Sequence, residues 1–584
     1  MLYNGVSNWF INNIREGNIL VVGHLLETVD LELIKKYNSV ILLDNIRTLA
    51  TETFPDHFFD SIIVTTLLEF NGEAFREVYR VARKDSVLLI SSMFSPFLPK
   101  QGSKELFSKT FSPLYKASYI DVIHSNRILY KGEKQSHFFN YSYNINPLFN
   151  FLFCRKLGLI NQLYSKIIFK PVIKSKQIKN AGKILIKGSI EDRKKLQTKF
   201  VNKFIKNKSL NITKEHEISS ELFAFMEDIK NSNVKHIVFM FSGTSFIQDY
   251  NGNRPIKLTQ QFIKKNIPVL FSYWRWNIKE NVPENKCELL FQTPIDVTLK
   301  YMSEIANYDF GDKKKLFIIS FPYKTCGQII QEFNHSNWIT IYDVRDEWEE
   351  FYKVGQAVWF NKYVERDIVE KADVVCAVSK TLLQKMQHFT SKKVNLNPNA
   401  LDASFLNSPK IKSAPRTGTK IIGYIGHLTD AWFDWEAIIK IAAANRDLRF
   451  EIIGHSLPSN IVLPENIIYI GPKKPREIRF YTQNWRVAII PFRISKLADG
   501  VDPIKVYEYL ALGLPIVSFR MPQIHDYPYV YIANTTEEFQ QKLYEAMTVN
   551  INVELIADFL KDNYWSNRAE QFLQWSKIQK STPK

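Results

Sequence analysis

Residues Asp499–Ser518, DGVDPIKVYEYLALGLPIVS, bring together on one short stretch the residue types that can hold a charged phosphate ester. A helix opening at Pro503 leaves its first peptide N–H groups without partners inside the helix. Those groups and the positive helix end form a seat for a diphosphate. Lys505 lies in that first turn and adds a cation. Glu508 follows one turn further along the same face, in reach of ribose hydroxyls, where a carboxylate can accept two hydrogen bonds. Gly513-Leu514-Pro515 then ends the helix and a buried strand begins. An amphipathic helix with Lys505 and Glu508 turned to solvent accounts for the same residues, and chemistry alone leaves both readings open.

Short apolar runs alternate with amphipathic stretches along nearly the whole chain, the pattern of α/β layers with parallel sheets. One series comprises Ile19–Val22, Val40–Leu43, Ser61–Val64 and Val87–Ile90. A second comprises Lys235–Phe241, Val269–Ser272, Leu316–Ser320, Thr340–Tyr342 and Val374–Ala377. A third comprises Lys420–Tyr424, Arg449–Ile453, Ile467–Ile470, Val487–Pro491 and Ile516–Ser518. The fold class is therefore α/β, with three Rossmann-like units. Their expected bounds are 1–190, then a basic linker over 191–230, 231–406, and 407–584, the last opening on the Pro-, Ser- and Lys-rich stretch 407–419.

A chain of 584 residues exceeds what one core fills, and 45% hydrophobic with 14% aromatic residues is ample for packed domains. The formal charge of +18 calls for an anionic partner, which nucleic acid, an acidic membrane or a phosphorylated substrate all satisfy. Nucleic acid is set aside, because no interleaved aromatic and basic motif sits on a reader fold. The four cysteines are scattered, with no CxxC pair and no His cluster at metal-ligand spacing, which points to a reduced, cytoplasmic compartment and to no metal. The first residues lack the basic start, apolar core and cleavage site of a signal peptide, and no window reaches 18 uncharged apolar residues. Residues 144–180 mix Phe, Leu and Ile with Lys and Arg and contain no Asp or Glu. That composition suits either an interfacial helix on an anionic bilayer or a basic lid on its own domain. Contact with a membrane is thus expected only peripherally, at the inner face.

Asp502-Pro503, Lys505, Glu508-Tyr509-Leu510-Ala511, Gly513 and Pro515-Ile516-Val517 together resemble the nucleotide-binding motif of family 4 glycosyltransferases. The resemblance continues through Ser379, Pro398-Asn399-Ala400-Leu401-Asp402, Gly423-Tyr424-Ile425-Gly426, the strands at Phe450–Gly454 and Asn466–Gly471, and the closing helix at Trp565-Ser566-Asn567-Arg568. It covers about 350 residues in the right order. It implies a two-lobed GT-B fold that transfers a sugar from a nucleotide-sugar donor with retention. In that scheme the leaving diphosphate accepts the proton and the protein chiefly neutralises charge, and no metal is expected.

By the same resemblance the donor site comprises Gly426, His427, Arg493, Asp499, Asp502, Lys505 and Glu508, with Lys496 a further candidate cation, and Ser242-Gly243-Thr244 form the acceptor-side loop. Two departures stand out. The acid expected eight residues before Glu508 is Gly500, leaving Asp499 or Asp502 to replace it, and His427–Trp435 lacks the Arg and Lys that hold the diphosphate in many members. Asp343 and Asp346, in YDVRDEW, resemble a subgroup motif and are expected past a strand end, facing the cleft. Either can orient an acceptor hydroxyl or take its proton; a solvated helix cap is the other reading of Asp346.

The first unit resembles class I S-adenosylmethionine-dependent methyltransferases over Phe54–Val64, Leu67–Phe70 and Arg76–Ile90. Asp44 and Asp56 fall at that family's ribose-side and adenine-side acids, and Gly23 opens its glycine loop. His24-Leu25-Leu26-Glu27 follow, however, where small residues should let the backbone approach the methionine part. Weak or absent S-adenosylmethionine binding is therefore expected. The function that emerges is transfer of a sugar to a surface polysaccharide or lipid-linked glycan, with no cofactor required. The alternatives are a catalytically inactive nucleotide- or sugar-binding protein, and a bifunctional glycosyltransferase and methyltransferase.

Overall fold

The computed structural model describes residues 11–22, 34–43, 54, 58–65, 78, 80–93, 115–123, 127–134, 218–247, 252–275, 287–357, 359–406, 419–473 and 475–578. Gly23, Asp44 and Asp56 lie outside the described residues, as do the 144–180 insertion, the basic linker up to residue 217 and the stretch 407–418. The chain divides into a smaller unit, residues 1–211 with 358–363, and a larger one, residues 212–357 with 364–584.

In the smaller unit, β1 (Asn18–Val22), β2 (Ser39–Leu43), β3 (Phe59–Val64), β4 (Ala82–Met93), β5 (Tyr115–Ile123) and β6 (Arg127–Lys134) form one sheet ordered β2-β1-β3-β4-β6-β5. The first four strands are parallel, while β6 runs antiparallel to both β4 and β5. Phe360 and Tyr363 are tied to this unit: Asn12 donates to the Phe360 carbonyl at 2.8 Å, and Tyr363 stacks on Tyr37 at 5.1 Å.

The larger unit contains two parallel sheets. The first lobe holds β7 (His236–Phe241), β8 (Val269–Tyr273), β9 (Leu290–Pro294), β10 (Lys314–Ile319), β11 (Trp338–Val344), β12 (Val374–Ala377) and β13 (Val394–Leu396), ordered β13-β12-β11-β10-β7-β8-β9. The second lobe holds β14 (Ile421–His427), β15 (Arg449–His455), β16 (Ile467–Gly471), β17 (Val487–Ile490), β18 (Ile516–Phe519) and β19 (Val530–Ala533), ordered β16-β15-β14-β17-β18-β19. The central strands are buried along their length, which is why they read as continuous apolar runs rather than alternations.

Seven helices matter for the site: α1 (Arg254–Lys264), α2 (Trp348–Lys353), α3 (Lys380–Gln387), α4 (Trp435–Ala444), α5 (Lys496–Asp499), α6 (Ile504–Ala511) and α7 (Trp565–Trp575). Helix α7 leaves the second lobe and buries Trp565, Ala569 and Phe572, spaced along one face, in the core of the first. Its crossing is pinned where Leu401 donates to the Asn563 carbonyl at 2.8 Å and Trp565 to the Leu401 carbonyl at 3.1 Å.

Both sheets change winding direction beside their central strand, between β7 and β10 and between β14 and β17. Ligands of open α/β sheets bind outside the carboxyl ends of strands at such switch points. The loops there carry Ser242–Thr244 and Ser320–Tyr323 in the first lobe, and His427–Asp434 and Pro491–Asp502 in the second. No described helix is long and apolar enough to cross a membrane.

Candidate functional site

Helix α6 starts at Ile504, with Pro503 as its cap residue and no side chain occupying the cap. Of the first-turn N–H groups, that of Val506 donates to the Pro503 carbonyl at 3.0 Å, while those of Ile504 and Lys505 receive no side-chain cap and can meet a ligand. Lys505, on that turn, donates to the Tyr424 hydroxyl at 3.0 Å, and its ammonium lies 4.4 Å from the centroid of the Tyr424 ring and 4.8 Å from that of Phe492. Tyr424 passes its own proton to the His427 carbonyl at 3.0 Å. Gly426 is needed beside them, because a Cβ there would collide with the lysine ammonium and approach the Tyr424 hydroxyl to 2.7 Å. Burial pulls the Lys505 ammonium down to about 7, with Glu508 acting against the shift. Among the described residues no carboxylate stands at ion-pair distance from it.

Glu508 is half-buried, and burial raises its carboxyl against the opposing pull of Lys505 and Lys257. His427 sits edge-on to His455 at 4.7 Å, and burial, with His455 and Lys505 adding, lowers it. Arg493 folds the glycine loop down: its amide donates to the Trp432 carbonyl at 2.8 Å and its Nε to the Asp430 carbonyl at 2.9 Å. Lys496 is exposed at the start of α5.

The two acids expected to replace the missing one at position 500 are turned elsewhere. Asp499 pairs with Arg520 at 3.0 Å. Asp502 is buried and accepts from the Asn399 amide at 2.6 Å and the Tyr507 hydroxyl at 3.0 Å, and burial pushes it up to about 6. It joins the lobes rather than facing a sugar. Gly500 itself offers its carbonyl to the Ser379 hydroxyl at 2.9 Å, and a Cβ on it would lie 2.9 Å from the Cβ of Glu347. The first lobe thus fills the space that a side chain at 500 would need.

Across the cleft, Ser242, Gly243 and Thr244 follow β7, with Gly243 against the Phe321 ring. Thr244 donates its amide to Ser242 Oγ at 3.1 Å and accepts from Asn253 Nδ2 at 2.6 Å. The other amide atom, Asn253 Oδ1, is buried without a partner among the described residues. Trp274, Phe321 and Tyr323 pack edge to edge around this loop at 5.8–6.3 Å.

Asp343 does not face the cleft. It is fully buried inside β11 and takes three hydrogen bonds of 2.8–3.1 Å from the Arg254 guanidinium, plus the Cys376 thiol at 3.4 Å. Arg254 in turn donates to Asn397 Oδ1 at 2.6 Å and the Pro398 carbonyl at 3.1 Å. A carboxylate so saturated has no lone pair directed at a substrate. Asp346 is different. Glu347, not Asp346, takes the cap position of α2, so the capping account falls away. The Asp346 side chain is 29% exposed, stands 3.6 Å from Arg345, and is pushed up to about 6 by burial. The sequence reading missed the partners: the Tyr424 and Phe492 rings, Arg254, and Asn399. The Asn397-Pro398-Asn399 run was visible, but only contact shows what its amides hold.

Residues 419–548 match the family described as Glycosyl transferases group 1. The chain is 27% identical over 189 residues to TuaH of Bacillus subtilis (strain 168), a protein named for a glycosyltransferase role in teichuronic acid biosynthesis, over 29% of this chain and 46% of that one. It therefore spans about half the length of that curated relative. Similar solved structures include the sucrose-phosphate synthase of Thermosynechococcus elongatus (13% identity, 58% of this chain and 98% of that one, TM-score 0.46). Another is Anabaena Alr3699/HepE in complex with UDP and glucose (12% identity, 59% and 100%, TM-score 0.41). The second lobe of the larger unit, over residues 419–548, is a glycosyl transferases group 1 domain.

Proposed function

We propose that the larger unit transfers a sugar from a nucleotide-sugar donor to a cell-surface polysaccharide or lipid-linked glycan, with retention and without a metal. The carrying observation is Lys505: a cation set on the first turn of α6, against a hydroxyl and two ring faces, with no carboxylate at ion-pair distance among the described residues. A donor diphosphate supplies that anion and takes the N–H groups of Ile504 and Lys505. Lys505 then neutralises the charge that grows on the leaving group, and Glu508, on the next turn, holds the ribose. On the acceptor side the unpartnered Asn253 Oδ1 and the rings around Ser242–Thr244 suit a hydroxyl-bearing, sugar-like group. Asp346, poised near 6, orients the attacking hydroxyl. The group 1 match and the teichuronic acid relative support this reading.

A panel of nucleotide sugars scored by thermal stabilisation tests it, since a ligand at 100 times its dissociation constant adds about 2.7 kcal/mol. Stabilisation by one member that disappears in Lys505→Ala is the expected result; no response from any member counts against the reading.

For the smaller unit we read a methyltransferase-like domain that no longer holds S-adenosylmethionine. Its parallel β2-β1-β3-β4 block supports the Rossmann-like part, and His24-Leu25-Leu26 support the loss. Micromolar S-adenosylmethionine binding by calorimetry would overturn it. The basic, acid-free residues 144–180 support recruitment to an anionic bilayer, at about 1 kcal/mol per engaged Lys or Arg. Salt-sensitive binding to anionic vesicles is the check.

A further inference from the structure

A line of rings connects the acceptor-side acid to the donor lysine, and neither site as described uses it. Arg345, the neighbour of Asp346, has its guanidinium carbon 5.1 Å from the centroid of the Trp348 ring. Phe351, one turn along α2, lies 5.9 Å from Trp348 and 5.3 Å from Trp432 of the second lobe. Trp432 lies 5.4 Å from Phe492, the ring under the Lys505 ammonium. Each ring-to-ring step falls within the range of attractive aromatic pairs. Phe351 to Trp432 is the step that crosses between lobes.

Both ends of that step are held. The Trp432 loop is fastened to the exit of β17 twice, by Arg493 N–H to the Trp432 carbonyl at 2.8 Å and by Asp434 N–H to the Pro491 carbonyl at 2.8 Å. Asp434 also caps α4 through the Ala437 amide. At the start of α2, Glu347 is ion-paired with Lys385 of α3 and abuts Gly500. Phe351 therefore meets Trp432 from a helix whose base is already seated against the second lobe. A ring contact suits this place. Dispersion weakens sharply over a fraction of an ångström, so the pair distinguishes joined from parted lobes. It does so without adding a charge beside the diphosphate seat.

We propose that Phe351 and Trp432 are positioning residues, whose contact sets the approach of the acceptor held near Asp346 to the sugar held at Lys505. This rests on the glycosyltransferase reading above. Neither side chain touches the reacting atoms; each acts through the lobe that carries it.

The test uses the full chain. Phe351→Ala should lower kcat roughly three- to tenfold, the rate equivalent of one aromatic pair. Donor KM and the unfolding midpoint should stay as in the wild type. Phe351→Tyr should restore the rate, and Phe351→Ala with Trp432→Ala should be no slower than the slower single variant. Amide hydrogen exchange supplies a readout independent of turnover. Residues 430–434 should exchange faster in Phe351→Ala, and residues 348–353 faster in Trp432→Ala. Wild-type kcat in Phe351→Ala, additive losses in the double variant, or unchanged exchange on the opposite lobe overturns the inference. A wild-type chain that turns over no nucleotide sugar defeats the glycosyltransferase reading instead, and exchange then still decides whether the two rings couple the lobes.

Discussion

Arg254 and Lys505 are both cations drawn out of water in the larger unit, and they have opposite partners. Arg254 meets the Asp343 carboxylate through three hydrogen bonds and two further acceptors on the Asn397-Pro398 run, so the fold itself answers its charge. Lys505 meets a hydroxyl and two rings, and burial drags its proton off near neutral pH. A buried charge answered internally is architecture; one left for a ligand to answer marks a site. Asp343 and Asp346, three residues apart in sequence, differ in degree: Asp343 takes three hydrogen bonds from Arg254, while Asp346 stands 3.6 Å from Arg345 and keeps 29% of its side chain exposed.

The comparison breaks most visibly if Arg254 is removed. Arg254→Met strands the Asp343 carboxylate in the core and should cost about 3–5 kcal/mol of stability by denaturant unfolding. Adding Asp343→Asn should return much of it. An unchanged midpoint would mean that the pair does not hold the lobe. Lys505→Ala should do the reverse. Turnover should fall by roughly 10²–10³, the scale of losing one preorganised donor to developing charge, while stability holds or rises. A matching loss of stability would move Lys505 into the architectural class.

Acidity sharpens the point further. With Lys505 depressed to about 7 from an ordinary 10.5, the neutral amine prevails above pH 7, and a diphosphate must restore its proton in order to bind. Nucleotide affinity should then fall about tenfold per pH unit above 7, with proton uptake seen as a buffer-dependent heat, and Lys505→Arg should flatten both. For folding the sign is the opposite of a paired lysine: the contribution is present above 10.5 and lost as pH falls through about 7. The smallest effect is expected at Gly500. Gly500→Ala places a Cβ 2.9 Å from that of Glu347 and should cost about 1 kcal/mol in thermal unfolding, as overpacking between lobes.

Fold class and the central strands were legible because parallel strands buried on both faces must be apolar throughout; the runs at Lys235–Phe241 and Arg449–Ile453 became β7 and β15 almost unchanged. Strands with mixed composition escaped. Tyr115–Ile123 and Arg127–Lys134 carry Lys, Asp and Glu and form the antiparallel edge of the first sheet. Edge strand Leu290–Pro294 carries Gln292, Thr293 and Pro294, and edge strand Val394–Leu396 is three residues long, so neither reads as an apolar run. Types and spacing placed Lys505 and Glu508 about one turn apart on one helix, and α6 carries both. They misplaced Asp343, because YDVRDEW does not say which acid an arginine 89 residues earlier will claim.

Helix α7 has a kinetic consequence. Lys265 of the first lobe and Glu570 of α7 lie 305 residues apart in sequence, yet they pair, and Phe572 closes over Phe262. The first lobe therefore emerges from the ribosome with that apolar face bare, and waits until the whole second lobe has been synthesised before its cover arrives. Slow closure of so long a loop exposes the intermediate to aggregation. The nascent first lobe should be a chaperone client, and it should commit to its final packing only when the second lobe's last turn docks.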